Sequence, residues 1–180
     1  MAEIFEREAV TAVGGMQWPG LEVVENPQRW LWSVQPGQQD SLVSFSQTLF
    51  GAAAQTADVP KADSLRLLRL WPHKALLLSS QAGLPSNTQE FTTMLTDISH
   101  GFCEFRLGGE HALAFLGAYC SFDPARQQAE GKHSLRCLLG QYPVLLWWDE
   151  VDDIRILVER SLALSFYDYL AVLADRWSHS

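Results

Sequence analysis

The sequence is poor in the residues that build most familiar sites. It has three cysteines in 180 residues, Cys103, Cys120 and Cys137, and no two of them form a C-x-x-C pair. An odd number without such spacing does not make a disulfide framework, and it fits a reducing cytoplasm, the expected location. Lysine and arginine number 13 against 21 aspartates and glutamates, for a net charge of -8. The cations stand singly along the chain. A polyanion would be repelled, which sets aside nucleic acid and anionic membrane surfaces as partners. Long apolar runs are missing as well: none approaches the roughly 20 residues needed to cross a bilayer. The N-terminal MAEIFEREAV has no basic stretch followed by an apolar one, so no signal peptide is read there.

What the chain does have is core. Hydrophobic residues make up 47%, with seven tryptophans and nine phenylalanines. At this length about 70% of the unfolded surface can be buried without covalent staples. Residues 1–20 contain Gly14-Gly15 and Pro19-Gly20, two breaker pairs that argue against a continuous element. They read as an extended arm whose Ile4, Phe5, Met16 and Trp18 lie either on their own domain or on a partner chain. Residues 21–180 read as one α+β domain, with room for two fused halves meeting near 81–97.

Within that domain, Trp30–Val34 is aromatic and β-branched between turn signals, a strand. Asp40-Ser41, then Leu42, Val43, Phe45 and Leu49 with Gly51 after them, give a capped helix. Residues 51–63 read as a loop. Leu65–Leu70 and Ala75–Ser80 form a hairpin through Trp71-Pro72-His73. Ser86 with Gln89 makes a capping box ahead of Phe91, Met94 and Leu95, which predicts a helix over 87–95. Cys103, Phe105 and Leu107 alternate with Phe102, Glu104 and Arg106, a strand with one fully apolar face. Gly108-Gly109 ends it, and Ala112, Phe115 and Leu116 follow at helical spacing. Cys120–Gly131 lacks periodicity and reads as a loop. Ser134–Leu139, Pro143–Trp148 and Ile154–Glu159 are strands. A final helix, capped by Ser165 with Asp168, carries the stripe Phe166, Tyr169, Leu170, Leu173 and Trp177. The order β-α, β-β-α-β-α, β-β-β-α predicts an α+β fold of mainly antiparallel sheets with ferredoxin-like βαββαβ pieces.

No catalytic or metal-ligating residue is assigned. His73, His100, His111, His133 and His179 are dispersed. His100 and Cys103 are three apart, lack two further ligands for zinc, and fall on opposite faces of the proposed strand. Cys120, at a helix C-terminus, reads as a structural thiol. Gly108-Gly109 lacks the G-x-G-x-x-G pattern and is followed by Glu110, so a tight turn is preferred to an anion loop. Asp149–Asp153 is a solvated hairpin tip. Asp123, beside Pro124, has the setting of a turn residue.

The segment Asp97-Ile98-Ser99, a strand, Gly108-Gly109 and His111-Ala112-Leu113-Ala114-Phe115-Leu116 resembles the folate-binding domain of the aminomethyltransferases, the glycine-cleavage T-proteins. The C-terminal third resembles the gamma subunit of heterotetrameric sarcosine oxidase: Leu135–Leu139, Pro143–Trp147, Arg155–Ser161 and Tyr167-Asp168-Tyr169-Leu170. The likeness spans roughly residues 30–175. Two positions depart from it: Trp71–Ala75 replaces a Gly-Pro-Asp-Glu-Trp turn, and Phe122-Asp123 stands where the T-protein has Asn-Asp. The resemblance implies a non-catalytic structural or assembly subunit of a complex that oxidatively demethylates sarcosine. Tetrahydrofolate would accept the one-carbon unit, and hydrogen peroxide would be the product. FAD, FMN, NAD and tetrahydrofolate would sit on alpha and beta partners and zinc on a delta partner, with no cofactor on this chain alone. Asp123 would be a residual folate-type position. Two alternatives remain: a stand-alone folate-binding or one-carbon-transfer protein, and a subunit of a related oxidase or dehydrogenase for another N-methyl amino acid.

Overall fold

The structure, a computed structural model, describes residues 9, 15–26, 30–37, 41–51, 61–62, 64–81, 83–84, 93–121, 123–150 and 152–179. The chain forms two compact units. One comprises residues 1–28, 100–130 and 135–180, and the other residues 29–99 and 131–134. Each is built on an antiparallel sheet with helices, the α+β class expected.

The unit of residues 29–99 carries a five-stranded sheet. Strand β3, Trp30–Gln35, is followed by helix α1, Leu42–Phe50. Ser41 caps that helix, its Oγ accepting from the Ser44 N–H at 3.0 Å, and Gly51 ends it at φ +82°. Then come β4, Lys61–Ala62; β5, Leu65–Trp71; β6, Lys74–Ser79; and β7, Met94–Asp97. Their spatial order is β4-β5-β6-β3-β7. Leaving β4 aside, this is the strand arrangement of a βαββαβ unit, with β3 first in the chain and third across the sheet. Trp32, Val34, Phe45, Leu67 and Leu77 fill the core between α1 and the sheet. Of the helix predicted over 87–95, residues 87–92 lie outside the described residues. Met94 and Leu95 belong to β7 instead. Backbone pairing of Met94–Asp97 with Trp32–Gln35 overrides the local helical spacing there.

The other unit carries a six-stranded sheet in the order β1-β2-β8-β11-β10-β9. Its strands are β1, Met16–Trp18; β2, Leu21–Asn26; β8, Phe102–Gly108; β9, Ser134–Leu139; β10, Tyr142–Glu150; and β11, Asp153–Glu159. Helices α2, Ala112–Tyr119, α3, Pro124–Ala129, and α4, Ala163–Ser178, complete it. Leaving α3 and β9 aside, β8-α2-β10-β11-α4 reads as another βαββα run. The strand that should follow α4 is supplied from the other end of the sequence by β2, which lies beside β8. Phe105, Leu107, Phe115, Leu116, Ile154, Ile156, Phe166 and Leu170 are fully buried in the core of this unit. Each such side chain contributes about 1.5–3 kcal/mol by leaving water.

Of the proposed N-terminal arm, residues 1–8 and 10–14 lie outside the described residues. Met16–Trp18 forms an edge strand, and Met16 and Trp18 pack on their own unit's core. The expected loop over Cys120–Gly131 contains α3, too short at six residues to show a periodicity. The last helix begins at Ala163, after a 3-10 turn over Arg160–Leu162. Ser165 therefore lies inside it and does not cap it; its hydroxyl donates to the Leu162 carbonyl at 3.0 Å. His100 sits in the 3-10 turn Ser99–Gly101, ahead of β8. No helix among the described residues is long and apolar enough to cross a membrane.

Candidate functional site

The segment Asp97–Asp123 carries the likeness to the folate-binding domain and ends at the implied folate-type position. Its beginning is a brace. The Asp97 carboxylate accepts from the Ser99 N–H at 2.8 Å, and Ser99 Oγ accepts from the Leu31 N–H at 2.8 Å while donating to the Leu31 carbonyl at 3.2 Å. Gly109 makes the tight turn after β8 at φ +106°, donating its N–H to the Asp152 carbonyl at 3.0 Å. At the end of the segment Asp123 is exposed and caps α3. Its Oδ1 accepts from the Ala125 and Arg126 N–H groups at 3.0 and 3.2 Å, and Pro124 opens the helix.

A charged ladder covers the sheet face opposite Phe105 and Leu107. Arg106 and Arg155 are register partners on β8 and β11. Like charges placed opposite one another destabilise a sheet. Asp153 resolves the conflict: it accepts from Arg106 Nε at 2.7 Å and from Arg155 Nη2 at 2.9 Å. Arg106 also donates to Glu22 on β2. Arg155 Nη1 lies 3.9 Å from Glu104, whose Oε1 accepts from Asn26 at 2.8 Å. The Arg155 guanidinium stands 5.9 Å from the centre of the Trp147 ring, within cation–π range. Burial pushes the Asp153 carboxyl upward, but the Arg106 hydrogen bond and the adjacent Arg155 outweigh it and hold Asp153 below the usual carboxylate range. Glu104 is a carboxyl at 2% exposure, bonded by an amide and faced by a guanidinium. The ladder can fix strand register and hold a buried carboxylate. Its members alternate with core residues, a pattern visible in the sequence, but the pairings depend on registers that the sequence does not display.

The second unforeseen arrangement is a thiol pair. Cys120 ends α2 and bridges Leu139 across from it. Ser121 exchanges two bonds with Leu138, and the Gly140 N–H donates to the Tyr119 carbonyl at 3.1 Å. The exit of α2 therefore runs along the outer edge of β9. It brings Cys120 Sγ to 3.9 Å from Cys137 Sγ. The five histidines are all exposed. Among the described residues no group of three or more His, Cys, Asp or Glu side chains is placed to hold a metal ion.

No family model and no curated protein matches the sequence. The fold does have a solved counterpart. A chain of heterotetrameric sarcosine oxidase from Corynebacterium sp. U-96, solved in complex with pyrrole 2-carboxylate, superposes with a TM-score of 0.71 at 19% identity. The match covers 88% of this chain and 85% of that one. The chain thus shares nearly its whole fold with a subunit of that oxidase, in keeping with the likeness read from its sequence.

Proposed function

We propose that this chain is a non-catalytic structural or assembly subunit, of the gamma type, in a sarcosine-oxidase-like complex. The complex would demethylate sarcosine oxidatively with flavin, pass the one-carbon unit to tetrahydrofolate and release hydrogen peroxide. The supporting observation is the fold shared along nearly the full length of both chains, whose nearly equal coverage makes them nearly equal in size. A fold matched end to end fits a subunit of the same kind better than a domain borrowed from a larger enzyme. In this reading alpha, beta and delta partners carry FAD, FMN, NAD, tetrahydrofolate and zinc, and Asp123 is a vestigial folate-side position.

Co-expression with the three partner subunits tests the proposal. The chain is expected to co-purify with a flavoprotein, and omitting it should lower the yield of assembled oxidase. A chain that stays alone overturns the reading. Titrating the isolated chain with micromolar tetrahydrofolate separates the alternative: binding that Asp123→Ala abolishes would mark a stand-alone folate protein. Once the complex is assembled, comparing sarcosine with other N-methyl amino acids identifies its substrate.

A further inference from the structure

We propose that Cys120 and Cys137 form a modification site, a dithiol that a peroxide closes to an intramolecular disulfide. The two sulfurs lie 3.9 Å apart, and Cys120 is half-buried where Cys137 is buried. A disulfide needs a separation of about 2.05 Å, so closing it requires the two sulfurs to move toward each other. The backbone on both sides is already fixed. Cys120 is held by its N–H bond to Leu116 and the bridge to Leu139, and Cys137 lies within β9.

The protons favour one order of events. The hydrogen bond the two sulfurs share holds Cys137 below the ordinary thiol range, while the same bond, with burial, raises Cys120. In the proposed order Cys137 supplies the thiolate, which is the nucleophile. Its attack on hydrogen peroxide breaks the O–O bond, forms a sulfenic acid and releases hydroxide, which takes up the thiol proton as water. Cys120 Sγ then attacks the Cys137 sulfur. The S–O bond breaks, the hydroxyl leaves as water with the Cys120 proton, and the S–S bond forms. Two thiols lose two electrons, and one peroxide becomes two waters. Cys103 lies apart in β8, its sulfur accepting from Arg160 at 3.9 Å.

The full chain, purified under reducing conditions and then exposed to hydrogen peroxide, gives the test. Two of its three thiols should disappear from titration, and a non-reduced digest should contain a Cys120–Cys137 cross-linked peptide. The yield should not depend on protein concentration, and dithiothreitol should reverse it. The Cys103→Ser chain should cross-link as fully as the parent. The Cys120→Ser chain should instead carry a sulfenic acid on Cys137 that a 1,3-dione traps. Three titratable thiols after treatment, a cross-link through Cys103, or over-oxidation of Cys137 in the parent chain would each overturn the assignment.

Discussion

Trp18 Nε1 donates to Asp175 Oδ1 at 2.6 Å across 157 residues of sequence. The bond ties the edge strand β1 to α4, so the two ends of the chain close one unit. Trp18→Phe keeps an aromatic ring and removes the donor. It is expected to lower unfolding free energy by about 1 kcal/mol, and Asp175→Ala should cost a similar amount. In urea unfolding, the double variant should cost less than the two single changes combined. Strict additivity would show that the contact contributes nothing.

Arg106, Asp153 and Arg155 give stability a defined pH dependence. Asp153 is held below the carboxylate range in the folded chain. Its contribution is therefore fully present above the unfolded value of roughly 3.9 and is lost as pH falls through the lower folded value. Asp153→Asn should lower stability at neutral pH by about 1 kcal/mol, as the pair is partly exposed. It should also flatten the loss of stability below about pH 4. Unfolding curves that fall equally steeply with acid in both proteins would contradict this account.

Glu104 and Arg155 make a different kind of pair, because Glu104 has no exposed side-chain surface. Arg155→Met takes the guanidinium away from this buried carboxylate and should cost about 3 kcal/mol. Adding Glu104→Gln removes the stranded charge while keeping an acceptor for Asn26. The double variant should therefore be more stable than Arg155→Met alone, a reversal that chemical denaturation can read directly.

Two glycines in one segment should respond in opposite directions. A Cβ on Gly109 would overlap the Gly20 carbonyl, and its φ of +106° is one that L side chains rarely adopt. Gly109→Ala should cost at least about 2 kcal/mol. Gly117, in α2, faces open space. Gly117→Ala should raise stability by up to about 1 kcal/mol. Thermal unfolding of the two variants settles the signs.

The elements legible in the sequence were those whose burial is one-sided and long enough to repeat. β8 shows Cys103, Phe105 and Leu107 alternating, and α4 shows Phe166, Leu170 and Leu173 at helical spacing. α1 could be bounded because Ser41 and Gly51 carry the chemistry of both its ends. α3 was hidden because six residues cannot display a period, although Asp123-Pro124 is a cap followed by a first-turn proline. Met94 and Leu95 misled because helical spacing and strand pairing compete, and pairing with β3 won. The charged ladder and the thiol pair depend on register and on the path of the chain after α2. Those are long-range facts that no local pattern carries.

The place of β2 between β1 and β8 also sets an order of events during synthesis. The unit of residues 29–99 draws almost wholly on continuous chain. It can collapse as soon as that stretch has left the ribosome. The flanking unit must hold one edge of β2 unpaired until Phe102–Gly108 appears, and its sheet and last helix are complete only once Asp153–Glu159 and Ala163–Ser178 have been made. β1 and β2, which precede every other element of this unit, thus wait longest for their full surroundings. That interval is when this protein most needs protection from association through an open sheet edge.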